Sequence, residues 1–175
     1  RERRGGRGTC LQASALGAGG VGEEPPRGWR NASLGVAALA ARTSPHSAMV
    51  ARMALEPQVA GLAALHATPQ QLTALGYLVA GMREAQSWGE YEMLDARFHD
   101  AVGEASGNVL LSEMQRMANA VRVSVVWSRL DRPDTGPPLN YPSFAEHEAI
   151  MAALERRDRT EAQNAMRAHL KSIRM

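Results

Sequence analysis

The hexapeptide DARFHD at residues 95–100 combines residue types that can do chemistry. Asp95 and His99 are four positions apart, a spacing that places both on one face of an α-helix. A carboxylate and an imidazole so arranged can form a salt-bridged pair, supply half of a metal site, or be two unrelated surface residues. A catalytic dyad is a further alternative, but no serine or cysteine nucleophile stands out beside the pair.

Two more histidines lie inside amphipathic stretches near the end of the chain. His147 shares an apolar helical stripe with Phe144, and His169 shares one with Met166. The two histidines are 22 residues apart, and the turn between their helices is predicted near residue 157. An antiparallel hairpin therefore puts both imidazoles at nearly the same height, facing the interior.

A divalent cation bound by these buried polar groups would offset the cost of burying them. Burying one carboxylate and three imidazoles without partners costs several kcal/mol. Asp95, His99, His147 and His169 form a ligand set that suits Zn²⁺, Ni²⁺, Mn²⁺ or Fe²⁺. In the alternative, each histidine makes an ordinary hydrogen bond in the core. The matched height of His147 and His169 favours the metal, because ordinary hydrogen bonds do not require it.

The composition favours a single helical domain. The chain has 175 residues, of which 45% are apolar and only 5% aromatic, and it is rich in alanine, leucine and methionine. No apolar run approaches the roughly 20 residues that span a bilayer, so we expect no membrane segment. The single cysteine, Cys10, excludes an internal disulfide and a cysteine-based zinc cluster. Without the pattern of a signal peptide, we expect a cytoplasmic protein.

Residues 1–46 differ in character from the rest of the chain. They hold seven arginines against three acidic residues and nine of the sixteen glycines, without helical or strand periodicity. We predict a disordered tail, with a short helix possible within 31–44 that Asn31 or Ser33 would cap. Its RGG-like start suits contact with phosphates, but a solvated tail is favoured. Residues 47–175 carry 13 basic and 15 acidic residues, which argues against a nucleic-acid surface there.

From residue 47 onward, apolar periodicity predicts six helices joined mostly by short connections, which is typical of an antiparallel bundle. Their predicted ranges are 47–66, 69–85, 88–104, 109–130, 143–156 and 159–174. Predicted capping pairs are Thr68 with Gln71, Ser143 with Glu146, and Asp158 with Glu161, and Asn108 is a predicted single cap. Pro57 is expected to bend or break the first of these helices.

Three ordered segments resemble motifs of the FCD domain, the effector-binding domain of FadR-type regulators in the GntR superfamily. They are RMALEPQVAGLAALHATPQQL, EYEMLDARFHDAVGEASGNVLL and EHEAIMAALERRDRTEAQNAMRAHL. The resemblance covers about residues 47–175. It implies an antiparallel all-α bundle that dimerises and binds small carboxylic acid metabolites. It also implies a divalent metal on Asp95, His99, His147 and His169.

The resemblance leads us to expect a ligand-sensing domain of a bacterial transcription regulator, not an enzyme. Arg52 matches the arginine of the first family motif; it is expected to pair with Glu56, and Arg52 or Arg122 is a candidate to bind the effector anion. Residues 1–46 show no helix-turn-helix spacing, so DNA binding is expected only through a winged helix-turn-helix domain not seen in this chain. The alternatives are a metal-free interaction module and a metalloenzyme. The general base of such an enzyme would be Glu146 or Glu148, both of which we expect to face solvent.

Overall fold

The chain is all-α, as the sequence predicted. The computed structural model describes residues 35–126, 133 and 135–172. Within that part of the chain there are seven helices and no strand. The helices are α1 Val36–Ala40, α2 Pro45–His66, α3 Pro69–Glu84, α4 Trp88–Ala105, α5 Val109–Val125, α6 Pro142–Glu155 and α7 Arg159–Ser172.

Several helix starts are set by the side chains that the sequence indicated. Thr68 and Gln71 form the predicted capping box: each side chain accepts a hydrogen bond from the other residue's backbone N–H, at 3.2 Å and 2.9 Å. Asn108 Oδ1 accepts the backbone N–H of Leu111 at 3.1 Å. Asp158 Oδ1 accepts a backbone N–H from the first turn of α7 at 2.9 Å. These bonds satisfy donors that a helix N-terminus otherwise leaves unpaired.

Two predicted helix boundaries need correction. Ser143 does not cap α6: the helix begins at Pro142, with Tyr141 as its N-cap and no side-chain bond to the first turn. A proline at the first helical position already has helical φ and no N–H to satisfy, so the helix starts there without the serine. The fourth predicted helix corresponds to α5, which ends at Val125 instead of residue 130, and residues 127–132 lie outside the described part of the chain.

Two further predictions concern the short helix within 31–44 and the effect of Pro57 on α2. A short helix, α1, lies within 31–44, and its N-cap is Gly35, with no side-chain hydrogen bond. The predicted caps Asn31 and Ser33 lie outside the described residues. The division of the chain into tail and domain stays a prediction. Pro57 does not break α2, which continues through it.

The hairpin of α6 and α7 turns on a residue with left-handed backbone. Arg157 has φ of 59°, a conformation that costs a non-glycine residue roughly 1–2 kcal/mol. Its Nη1 donates a hydrogen bond of 2.6 Å to the carbonyl oxygen of Ala67, just after the end of α2. This contact ties the hairpin to α2 and caps the carbonyl end of that helix.

Helix α2 runs through the centre of the bundle. It packs most extensively along α7 and also contacts α4, α5 and α6, while α3 packs against α4 and α6. The core includes Val59, Leu75, Phe98, Ile150, Leu154 and Met166, all nearly inaccessible to solvent. This packing turns the inner faces of α2, α4, α6 and α7 toward one another. Among the described residues, none of the helices has both the length and the apolar character that crossing a membrane requires.

Candidate metal centre

The four predicted ligands meet in the interior of the bundle. Asp95 and His99 come from α4, His147 from α6 and His169 from α7, and each is at most 4% exposed. One ligand atom of each residue lies within 4.8 Å of those of all the others. The rings of His147 and His169 are 4.4 Å apart between centroids, so the hairpin places them at the same height.

The distances suit a single cation. Asp95 Oδ1 lies 3.2 Å from His147 Nε2 and 3.8 Å from His99 Nε2. With metal–ligand bonds of about 2.1 Å, two ligands on opposite sides of a cation are about 4.2 Å apart. Small side-chain movements would therefore bring the set into coordination geometry, and three imidazoles with one carboxylate are a common donor set for divalent transition metals.

Two of the histidines are oriented by carboxylates behind them. His99 Nδ1 lies 2.8 Å from Glu56 Oε2, and His169 Nδ1 lies 2.9 Å from Glu146 Oε2. A carboxylate at Nδ1 holds the proton there and leaves the lone pair of Nε2 directed to the centre. His169 Nε2 is buried and has no hydrogen-bond partner, which also fits a cation.

The expectation that Glu146 faces solvent was wrong. Its side chain is only 20% exposed because it reaches back to His169 on α7. Glu148 is half-exposed and pairs instead with the surface residue Arg83. Nothing in the local pattern distinguishes the two glutamates. Their different roles follow from the rotation of α6 against α7.

Arg52 lies in the same buried cluster. Its Nε and Nη2 contact the carboxylate of Glu56, with Nη2 3.1 Å from Oε2, so the pairing expected from the sequence is present. The same Nη2 lies 3.1 Å from His99 Nε2. The remaining terminal nitrogen, Nη1, is buried without a hydrogen-bond partner.

Arg122 reaches the centre from α5. Its Nη2 lies 3.0 Å from Asp95 Oδ2 and 3.0 Å from Glu92 Oε1. Asn119, one turn earlier on α5, accepts hydrogen bonds from the Arg122 Nε and Nη2 and donates to the carbonyl of Ala96 on α4. Burial raises the pKa of Glu92 to about 8. Asn119 and Glu92 were not predicted from the sequence, although Asn119 and Arg122 share the inward face of α5.

The protonation states favour metal binding. Burial, together with the nearby His147, lowers the pKa of His169 to about 4. Burial also lowers the pKa of His99. For Asp95, burial by itself acts to raise the pKa, but the Arg122 guanidinium and the imidazoles hold it well below its usual value. The centre therefore offers an ionised carboxylate and, in His99 and His169, neutral imidazoles at neutral pH, the states that ligate metals.

The sequence model of the FCD domain family matches residues 47–172. The chain therefore belongs to the FCD domain family. The named relatives are transcription regulators, so the chain is homologous to the FCD domain of GntR-family transcription regulators.

Two relatives illustrate this relationship. The chain is 27% identical over 134 residues to the "Uxu operon regulator" of Haemophilus influenzae, covering 75% of this chain and 50% of the relative. It is 33% identical over 124 residues to the "Putative L-lactate dehydrogenase operon regulatory protein" of Escherichia coli K12, covering 70% and 47%. The chain thus spans about half the length of the curated relatives it matches.

Solved structures agree on the fold. A GntR protein of Streptococcus agalactiae superposes with a TM-score of 0.60 at 25% identity, over 74% of this chain and 57% of that one. Escherichia coli McbR/YncC gives a TM-score of 0.61 at 20% identity, over 73% and 60%, and this similarity supports the fold alone.

Proposed function

We propose that this domain senses a small carboxylic acid metabolite beside a divalent cation, within a GntR-type transcription regulator. Asp95, His99, His147 and His169 would hold the cation, which is Zn²⁺, Ni²⁺, Mn²⁺ or Fe²⁺ by the chemistry of these donors. The observation that carries the proposal is the convergence of four buried ligand atoms within 4.8 Å. When bound, the cation supplies concentrated positive charge and open coordination positions for a carboxylate.

Two arginines beside the ligands support binding of an anion. Arg52 Nη1 is fully buried and lacks an acceptor, and a buried donor left unpaired costs about 1–3 kcal/mol. A carboxylate placed between Arg52 and the cation would supply that acceptor. Arg122 contacts Asp95 and adds a second positive charge at the same centre. We assign both arginines to effector binding.

We also propose that the domain works as a homodimer. A groove of about 800 Å³ lies between α2 and α5 and is lined mostly by apolar side chains. Ala51 and Ala54 form a shallow floor on α2, whereas Met114 and Met117 are 48% and 37% exposed on α5. A two-fold axis would set the methionines of each copy onto the alanine floor of the other, as a self-complementary interface requires.

In this proposal the effector acts through the dimer. The acid would bind one arrangement of the two copies better than the other and shift the population toward it. A winged helix-turn-helix domain, separate from the residues described, would bind DNA in response. The regulator would act in the cytoplasm.

Metal analysis and thermal unfolding test the proposal. Purified protein should contain a stoichiometric divalent metal, and removing it with a chelator should lower the Tm. A panel of small carboxylic acids, which includes L-lactate because of the named relative, should then be screened by thermal shift with and without the metal. At 100 times its Kd, a ligand adds about 2.7 kcal/mol, or a Tm rise on the order of 10 °C.

The controls separate the alternatives. His169→Ala should abolish the metal-dependent rise in Tm, whereas His66→Ala, on the exposed end of α2, should leave it unchanged. Protein that binds no metal and gains no stability from any metal would instead support the metal-free interaction module. Turnover of an acid, followed by mass spectrometry, would contradict a sensing role.

A further inference from the structure

Two groups compete for the lone pair of His99 Nε2: the Arg52 guanidinium and the proposed cation. His99 Nδ1 lies 2.8 Å from the Glu56 carboxylate, an ion-pair distance without the angles of a hydrogen bond. The Arg52 guanidinium beside Nε2 can only donate, so Nε2 accepts and Nδ1 carries the ring proton. The lone pair of the neutral ring is then on Nε2. That atom lies 3.1 Å from Arg52 Nη2, so the guanidinium donates to it. The same Nε2 lies 3.8 Å from Asp95 Oδ1, within the predicted ligand set.

A lone pair that accepts a hydrogen bond cannot also coordinate a cation. We propose that the cation and Arg52 exchange at His99 Nε2, so that metal binding releases an Arg52 N–H and directs it to the effector carboxylate. The inference rests on the proposed function and deepens it, because it assigns to Arg52 the link between metal and acid. Arg52 is thus a specificity-determining residue whose availability the metal controls.

The geometry of Arg52 allows this release without loss of its anchor. The Nε contact with Glu56 Oε1 and the Nη2 contact with Oε2 do not involve His99, so the guanidinium stays in position. Each terminal nitrogen carries two N–H groups. After the exchange, one N–H of Nη2 and both of the unpartnered Nη1 are available. Parallel donors of this kind bind a carboxylate in a bidentate manner, which a lysine ammonium cannot reproduce.

The exchange couples the two ligands. Without the metal, only Nη1 is free, so an acid that binds both terminal nitrogens must compete with His99 for the Nη2 donor; with the metal bound, that competition is gone. The acid and the metal should therefore strengthen each other's binding by the same factor, since coupling is reciprocal. Direct contact between acid and metal can also produce coupling, so the test must isolate the part that depends on Arg52.

The experiment measures Zn²⁺ affinity in a chelator-buffered titration, with and without acetate, which offers a carboxylate and no other polar group. In wild-type protein, acetate should tighten Zn²⁺ binding by about fivefold or more. Arg52→Lys keeps the positive charge but lacks the fork, and should reduce this enhancement to about twofold or less. Arg83→Lys, on the surface salt bridge with Glu148, is the matched control and should behave as wild type.

A second measurement uses the wild-type protein, in case Arg52→Lys does not fold. The ¹⁵N NMR signals of the Arg52 guanidinium should shift on adding Zn²⁺ and shift again on adding acetate. An Arg52 signal that Zn²⁺ leaves unchanged, or equal enhancement by acetate in Arg52→Lys and wild type, overturns the inference while the metal site stands. Wild-type protein that binds neither Zn²⁺ nor Ni²⁺, Mn²⁺ or Fe²⁺ in the same titration overturns the proposed function and the inference together.

Discussion

The carboxylate of Glu146 should set metal affinity without touching the metal. Its Oε2 lies 2.9 Å from His169 Nδ1, and its side chain is 20% exposed, so the contact is largely shielded from water. Glu146→Gln keeps the shape of the side chain but removes the charge that polarises the imidazole. Loss of such a partner typically weakens metal binding 10- to 100-fold, or about 1.4–2.7 kcal/mol. We expect the Zn²⁺ dissociation constant to rise by that factor.

The neighbouring glutamate provides the control. Glu148 lies on the same helix but is half-exposed and pairs with Arg83, so Glu148→Gln should change the Zn²⁺ dissociation constant by no more than about twofold. Competition against a chromophoric chelator measures both variants, and circular dichroism verifies their folding. Equal affinities for Glu146→Gln and Glu148→Gln would refute the reasoning, because the carboxylate behind His169 would then have no influence on the metal.

Three further predictions concern acid stability, the hairpin turn and the dimer. The Tm of metal-free protein should fall as the pH decreases from about 6.5 to about 4. In this window the unfolded chain takes up a proton on His169 while the folded chain does not. A Tm that stays constant over this range in calorimetry would contradict the prediction. In urea denaturation, Arg157→Ala should lower the free energy of unfolding by about 1 kcal/mol more than Arg157→Gly does. Both variants remove the hydrogen bond to Ala67, but only alanine keeps a strained positive φ. Equal losses of unfolding free energy would be evidence against that strain. In sedimentation experiments, Met114→Glu or Met117→Glu should convert a dimer to a Zn²⁺-binding monomer, and a dimer that persists would place the interface elsewhere.

The sequence anticipated the features that depend on residues close together in the chain. Asp95 and His99 share a helix, and the spacing of His147 and His169 across one turn fixes their relative height once the hairpin forms. The capping box at Thr68 could be predicted equally well, because caps form between residues within one turn. At the start of α6, Ser143 and Pro142 are competing local signals, and the prediction that Ser143 caps the helix was wrong.

What only the tertiary structure decided is how helices distant in sequence rotate against one another. The FCD motifs implied that α4 and the α6–α7 hairpin meet, but no periodicity specifies that Glu146 is turned toward His169 while Glu148 remains in solvent. The hydrogen bond from Arg52 to His99, two residues 47 positions apart in the sequence, likewise joins α2 to α4. Such contacts depend on how side chains of several helices interlock in the core, and a pattern read along one helix carries no information about the partner it will face.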